Sequence, residues 1–415
     1  MTHEHDSHRI DTTRRTFLRG ASALVATGWL AQQSFAALNQ QAPQGLTGHR
    51  ERPLVLVMLE LAGGNDGLNA MPPQNNDIYR RERGDLAITD GFQLTETAGL
   101  HPELKGLHRL YGDGKLAIIE GVGYPDPQRS HFVSRDIWHT ADQGGRTRDT
   151  GWLGRLADAH FVDSGNPNSV LSLGTRVPYS CKADHCRAVA VSRPAAFRVL
   201  GNDKLVETLD TAIAAEAASD RAREFLRRSY MDARRSSEAV RNAAQNHKPQ
   251  ADYPKSELAD DLRLIAGLIS GGLDTRVFTV NMSGFDTHSK QAARQAKLLN
   301  ELDGALSAFL ADIEKQNSEN DVVVLVHSEF GRRVTPNGSG GTDHGTAGPV
   351  FVAGHAVHGG LYGAQPDLGN LDERGDIRFT TDFRSVYATI LEKGYGVASE
   401  PLLGGPWNSL GFLDT

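Results

Sequence analysis

The chain is short of three things, and each scarcity narrows what it can be. It has two cysteines in 415 residues, so at most one internal disulfide is open to it. Beyond its N-terminal region no apolar run reaches the length a membrane helix needs, so stable membrane insertion is not expected. It also lacks an excess of basic charge. A formal net charge of −7 argues against nucleic acid or an anionic membrane surface as a partner.

The first 36 residues read as an address rather than as part of the fold. Thr12-Thr13-Arg14-Arg15-Thr16-Phe17-Leu18-Arg19-Gly20 sets an arginine pair before an apolar stretch, Ala21 to Ala31, too short and too rich in small residues to anchor in a bilayer. Ser34-Phe35-Ala36 places small residues where a signal peptidase reads, so cleavage is expected before Ala37. This is the pattern of a twin-arginine signal. It implies a periplasmic protein that meets the twin-arginine translocation machinery during export, already folded. The leader holds four arginines against three acids, so its removal takes the charge from −7 to −8. Residues 37–52 read as a lead-in segment. Residues 53–415 are enough for one large α/β domain.

Short apolar runs that end in glycine-containing polar loops carry the fold. Leu54–Leu59 leads to Gly63-Gly64-Asn65-Asp66-Gly67, and Leu116–Ile119 leads past Gly121 and Gly123 to Ser130-His131. Val277–Val280 leads to Ser283-Gly284-Phe285-Asp286-Thr287-His288, and Val322–Val326 to His327-Ser328-Glu329-Phe330-Gly331. Such runs predict strands buried on both faces. Helical spacing lies between them, most clearly over 289–315, where Leu298, Leu302, Leu306, Phe309 and Ile313 share a face. The alternation predicts a mostly parallel sheet with helices on both faces. A polar helical region near 200–270 reads as an insertion beside the sheet, and Gly338–Gly341 as a mobile loop tip. Cys181 and Cys186 predict a local disulfide; a metal site shared with Asp184 and His185, or two free thiols, are the alternatives.

Ligands of open parallel sheets bind beyond the carboxyl ends of the strands, and that is where the acids and histidines gather. Asp66, Asp286, His288, Glu329, Asp343 and His344 offer the oxygen and nitrogen donors of a divalent metal site with one or two ions, zinc first and calcium or manganese next. Two ions would clamp both oxygens of an ester displacement. Each residue also has a plainer role. Asp66 could form a turn, Asp286 could cap a helix, Glu329 could pair with Arg332 or Arg333, and His344 could bond backbone. Ser130 opens a helix expected over 130–140, as its cap or as a nucleophile favoured by the helix N-terminus. His131 could donate a proton or simply pack.

These motifs, with Arg129-Ser130-His131-Phe132 and Asp343-His344-Gly345, resemble a family of exported bacterial proteins, domain of unknown function 1501, placed in the alkaline phosphatase and sulfatase superfamily. The resemblance implies an alkaline-phosphatase-like three-layer α/β sandwich and a metal-dependent hydrolase of phosphate or sulfate esters, with an anionic ester as substrate. By the same resemblance Asp66 corresponds to the first-strand metal ligand and Ser130 to the nucleophile. Asp286 and His288, completed by His344, correspond to ligands of one metal. Phe330 departs from the pattern, standing where a second metal histidine is expected. The alternative it raises is a catalytically degenerate member that binds a ligand or partner.

Overall fold

The computed structural model describes residues 52–143, 148–192, 221–316 and 321–414. The signal expected over 1–36, all but the last residue of the lead-in, and the beginning of the 200–270 region lie outside the described residues.

The most apolar run of the sequence forms the centre of the sheet. β1 (Leu54–Ala62) has eight of its nine residues buried. It pairs in parallel with β7 (Val277–Ser283) on one side and β8 (Asp321–His327) on the other. From edge to edge the order is β10 (Gly360–Tyr362), β4 (Leu116–Gly123), β9 (Gly348–Gly354), β8, β1, β7, β5 (Val170–Leu173) and β6 (Val189–Val191). β11 (Thr381–Asp382) joins β4 in parallel, and a separate ribbon pairs β2 (Phe92–Gln93) with β3 (Gly99–Leu100).

Side-chain alternation along β1 divides the interior into two cores. Val55, Val57, Leu59 and Leu61 face one, while Leu54, Leu56 and Met58 face the other. The first core is closed by α3 (Lys105–Gly112), α6 (Arg221–Asn246), α7 (Glu257–Ser270) and α8 (Gln291–Gln316). The second is closed by α4 (His131–Thr140), α5 (Trp152–His160), α9 (Phe383–Thr389) and α10 (Ser399–Leu403). Two short helices, α1 (Gly67–Ala70) and α2 (Asp77–Arg83), follow β1. The three-layer α/β sandwich is therefore the observed architecture. Each aliphatic side chain removed from water on either face contributes roughly 1.5–3 kcal/mol, which is why strands this apolar need cover on both sides. No helix among the described residues is long and apolar enough to cross a membrane.

Several local expectations change. The long helix is α8, but Leu299 is fully buried while Leu298 is only partly so, because Leu298 packs over the turn at Gly284. Within the 200–270 region, α7 sets Leu258, Leu262, Ile265 and Leu268 into the core beneath the sheet, so it forms part of a sandwich layer. Its N-terminus is capped by Ser256, whose hydroxyl accepts from the Ala259 N–H at 3.1 Å. Gly338–Gly341, expected to be a mobile tip, is a pinned turn. Asn337 accepts from the N–H groups of Ser339 and Gly341, and the carbonyl of Gly340 accepts from Gln291 at the start of α8.

The cysteines form no disulfide; both are free thiols. Cys181 packs in the second core, where burial pushes its thiol up to about 12. The backbone N–H groups of Asp184, His185 and Cys186 wrap the Asp158 carboxylate.

One feature of the sheet decides the site. β9 runs antiparallel to both β8 and β4, whereas the other paired strands of the sheet are parallel. The residues leading into β9 therefore lie at the same edge as those leaving β1, β4, β7 and β8.

Candidate metal centre

Four of the residues expected at that edge converge there. Asp286, in the loop after β7, is the hub. Its Oδ1 lies 3.0 Å from His288 Nε2 and 3.1 Å from His344 Nε2, and its Oδ2 lies 3.6 Å from His131 Nε2. His288 and His344 face each other, Nε2 to Nε2, at 2.9 Å. Each imidazole is anchored through its other nitrogen. His288 Nδ1 lies 3.0 Å from Asp343 Oδ1, His344 Nδ1 lies 2.8 Å from the carbonyl of Arg129, and His131 Nδ1 lies 2.8 Å from Glu329 Oε1. An Nδ1–H given to an outer acceptor leaves the Nε2 lone pair aimed inward. His288 and His344, oriented in this way on one oxygen of Asp286, are arranged to share a cation with it, and His131 stands beside its other oxygen.

The donor set fits such an ion. Ligand atoms around a tetrahedral zinc, each about 2.0–2.1 Å from it, sit about 3.3 Å from one another. The spacings here run from 2.9 to 3.6 Å. His131, Asp286 and His344 all offer donor atoms within 4.8 Å of one another. Partial burial alone would raise the Asp286 carboxyl. The Arg332 guanidinium, which donates to it, and the neighbouring His344 outweigh it and hold the group down at about 2, so the hub is anionic at any physiological pH.

The remaining expected ligands are engaged elsewhere. Asp66 is fully buried; its Oδ1 accepts from Arg83 at 2.8 Å, and its Oδ2 is bonded by both Arg83 and Gln291. Both oxygens of Asp66 are thus engaged by Arg83 and Gln291 rather than by the histidines of the cluster. Glu329, also buried, accepts from the backbone N–H groups of Gly63 at 2.9 Å and Gly64 at 3.2 Å, and it orients His131. Asp343 holds His288 from outside, with Asn337 donating to the same oxygen. Phe330 packs its ring 4.9 Å from that of His131 and 4.8 Å from that of His344. It is a wall of the site.

The Gly63-Gly64 turn approaches protein rather than a ligand. Both residues have positive φ, and a Cβ on Gly63 would stand 2.3 Å from the Asp286 backbone nitrogen. Arg332, fully buried, locks the same knot. It donates to the carbonyls of Gly64 (2.7 Å), Thr342 (2.7 Å), Phe285 (3.1 Å) and Gly63, and to Asp286 Oδ1 at 2.6 Å. Arg83, Gln291 and this role of Arg332 were not foreseen, because none carries a local signal that it will be buried.

Ser130 takes the N-cap position of α4, yet its side chain makes no cap hydrogen bond and the residue is exposed. The capping role is therefore not performed.

Behind the site, on the second-core face, lies another polar group. Glu60 and His327 are register partners on β1 and β8. Glu60 receives Arg135 at 3.3 Å and meets His139 Nε2 at 3.3 Å. His327 stacks on Trp138 at 4.9 Å, and neither of its ring nitrogens has a hydrogen-bond partner.

A mostly parallel α/β sandwich with a histidine–aspartate cluster at its strand ends defines the class. Residues 116–397, well over half the chain, match the family described as protein of unknown function, DUF1501; the chain belongs to that family. No curated protein matches it. Among solved structures, it resembles the zinc complex of the C-terminal periplasmic domain of EcEptC from Escherichia coli, at 8% identity over 75% of each chain with a TM-score of 0.37. It also resembles the Streptococcus pyogenes phosphoglycerol transferase GacH bound to sn-glycerol-1-phosphate, at 8% identity over 90% of this chain and 84% of that one, TM-score 0.38. A third is a phosphonate monoester hydrolase from Silicibacter pomeroyi, at 9% identity over 86% and 77%, TM-score 0.34.

Proposed function

We propose that this chain is a periplasmic, twin-arginine-exported hydrolase of phosphate or sulfate esters that works with a single divalent ion, zinc first among the candidates. The observation that carries the reading is the convergence of imidazole Nε2 atoms on Asp286 while every Nδ1 is held by an outer acceptor. Asp286, His288 and His344 would hold the ion, three protein ligands being the number that leaves a catalytic site open to substrate. The bound ion would supply charge stabilisation to the ester oxygens.

The protein's own groups supply the rest. Ser130, exposed and free of a cap bond at the N-terminus of α4, is the nucleophile, in a position where the helix end favours an anionic oxygen. His131 handles the proton at Nε2. The buried Glu329 fixes its tautomer through Nδ1, as an acid does for a catalytic histidine in hydrolytic triads. The engagement of Asp66 by Arg83 and Gln291, together with Phe330 beside the rings, favours one ion over two.

Metal analysis of the purified mature protein beside its variants tests this. About one equivalent of metal, lost in the His288→Ala, His344→Ala double variant but kept in Ser130→Ala and His131→Ala, is the expected result. Ester hydrolysis should disappear in all three. Metal retained with no turnover of any phosphate or sulfate ester would move the reading to a ligand-binding protein, which Phe330 in place of a coordinating side chain already favours over a two-ion enzyme. Export is tested separately: Arg14→Lys, Arg15→Lys should leave the uncleaved precursor in the cytoplasm.

A further inference from the structure

The centre opens into a surface pocket lined by Arg129, His288, Arg333, Asp343, His344 and Arg374. Three of these six are arginines, and they differ in what they already hold. Arg129 donates to Asp376 at 2.8 Å and to Asp372 at 3.2 Å. Arg333 donates to Asp376 at 3.2 Å and to the carbonyl of Arg374 at 2.6 Å. The pocket's carboxylate, Asp343, is turned onto His288 and Asn337. Among the described residues, the exposed Arg374 guanidinium makes no hydrogen bond or ion pair.

The turn that carries Arg374 is nevertheless tightly built. The Asp372 side chain accepts from the N–H groups of Arg374 and Asp376, both at 2.8 Å, and the Asp372 N–H donates to the Asp376 carbonyl at 2.8 Å. Gly375 supplies the positive φ of 79° that the turn needs. Asp376, fully buried, ties the turn to Arg129 before α4 and to Arg333 before the His344 segment. The backbone is thus fixed from both sides of the metal centre while one guanidinium is left unengaged at its mouth.

We propose that Arg374 docks the anionic group of the substrate beside the metal centre, so that the site takes esters carrying a full negative charge and passes over neutral ones. This assignment rests on the hydrolase reading for the word substrate, but the binding of an oxyanion can be measured without turnover. A guanidinium matches the planar oxygen pair of a phosphate or sulfate group, and removing one charge-assisted contact weakens binding by roughly tenfold.

The test is titration calorimetry of inorganic phosphate into the mature protein, as isolated and with added zinc, for wild type, Arg374→Ala, Arg374→Lys and Arg378→Ala. Arg378 is a control, an exposed arginine outside the pocket that donates to the Leu371 carbonyl. Phosphate binding about tenfold weaker in Arg374→Ala, partly restored in Arg374→Lys and unchanged in Arg378→Ala supports the assignment. A parallel rise in KM for p-nitrophenyl phosphate at unchanged kcat, with no effect on p-nitrophenyl acetate, supports it again. Equal phosphate affinity in Arg374→Ala and wild type overturns it, as does absence of phosphate binding to wild type. Arg374-dependent binding in a protein that hydrolyses no ester would leave this inference standing and overturn the hydrolase reading. Hydrolysis indifferent to Arg374 would do the reverse.

Discussion

Asp66 and Asp286 stand at the ends of neighbouring parallel strands, each just past a glycine, yet their surroundings give them opposite roles. Asp66 is sealed, with a guanidinium and a carboxamide on its two oxygens and no exposure of its side chain. Asp286 also meets a guanidinium, but its side chain is half exposed and its remaining neighbours are the Nε2 atoms of His288 and His344. The comparison teaches that a carboxylate's use depends on which of its lone pairs are still free after folding. Residue type and place on the sheet edge do not decide it.

The sharpest way to break the comparison is to remove the imidazoles. His288→Ala with His344→Ala should abolish metal binding and, with it, ester hydrolysis. His288→Ala alone should change the metal-free protein's stability by less than about 1 kcal/mol, as expected for a half-exposed side chain; metal analysis and urea unfolding measure the two effects. Arg83→Met should do the opposite. It leaves the Asp66 charge buried without its partner, at a cost of about 3–5 kcal/mol, seen as a large drop in urea midpoint. A midpoint close to wild type would show that Asp66 is not sealed as described.

Acid sensitivity should come from behind the site. Burial pushes His327 down to about 4, so the folded state keeps it neutral while the unfolded chain protonates near 6.5. Falling pH therefore favours unfolding from about 6.5 downward, reaching on the order of 3 kcal/mol near pH 4. Glu60 acts in a lower window. Burial alone would raise its carboxyl, but His139 and Arg135 hold it at about 2, so its contribution is lost as pH falls from 4.5 toward 2. His327→Phe, which keeps a ring against Trp138, should flatten the dependence between pH 6.5 and 4. An unchanged slope in urea midpoints across that range would remove His327 from the explanation.

The smallest effect expected is at Asp343, whose contact with the centre runs through His288 Nδ1. Asp343→Asn should weaken metal affinity about 10- to 100-fold without abolishing it, measured by competition with a chelating dye. Loss as complete as in the double histidine variant would make Asp343 a direct ligand.

Much of the fold could be read from the chain. The apolar runs at 54–59, 116–119, 277–280 and 322–326 became β1, β4, β7 and β8 because strands covered on both faces must be apolar throughout, and that pattern is local. The gathering of Asp286, His288 and His131 at one edge followed from the same strand ends. His344 is different. It precedes its strand, and it reaches the shared edge only because β9 runs antiparallel, a pairing set by neighbours far away in sequence.

The sequence by itself determined the layers, the strand ends and the kinds of donor available at them, because periodicity and turn chemistry act over a few residues. Tertiary structure alone decided which donors stay free. Gln291 reaches Asp66 across 225 positions, and the Gly63 amide reaches Glu329 across 266. Hydrogen bonds are short and directional, so partners this distant are assigned only when the packed strands bring them within 3 Å.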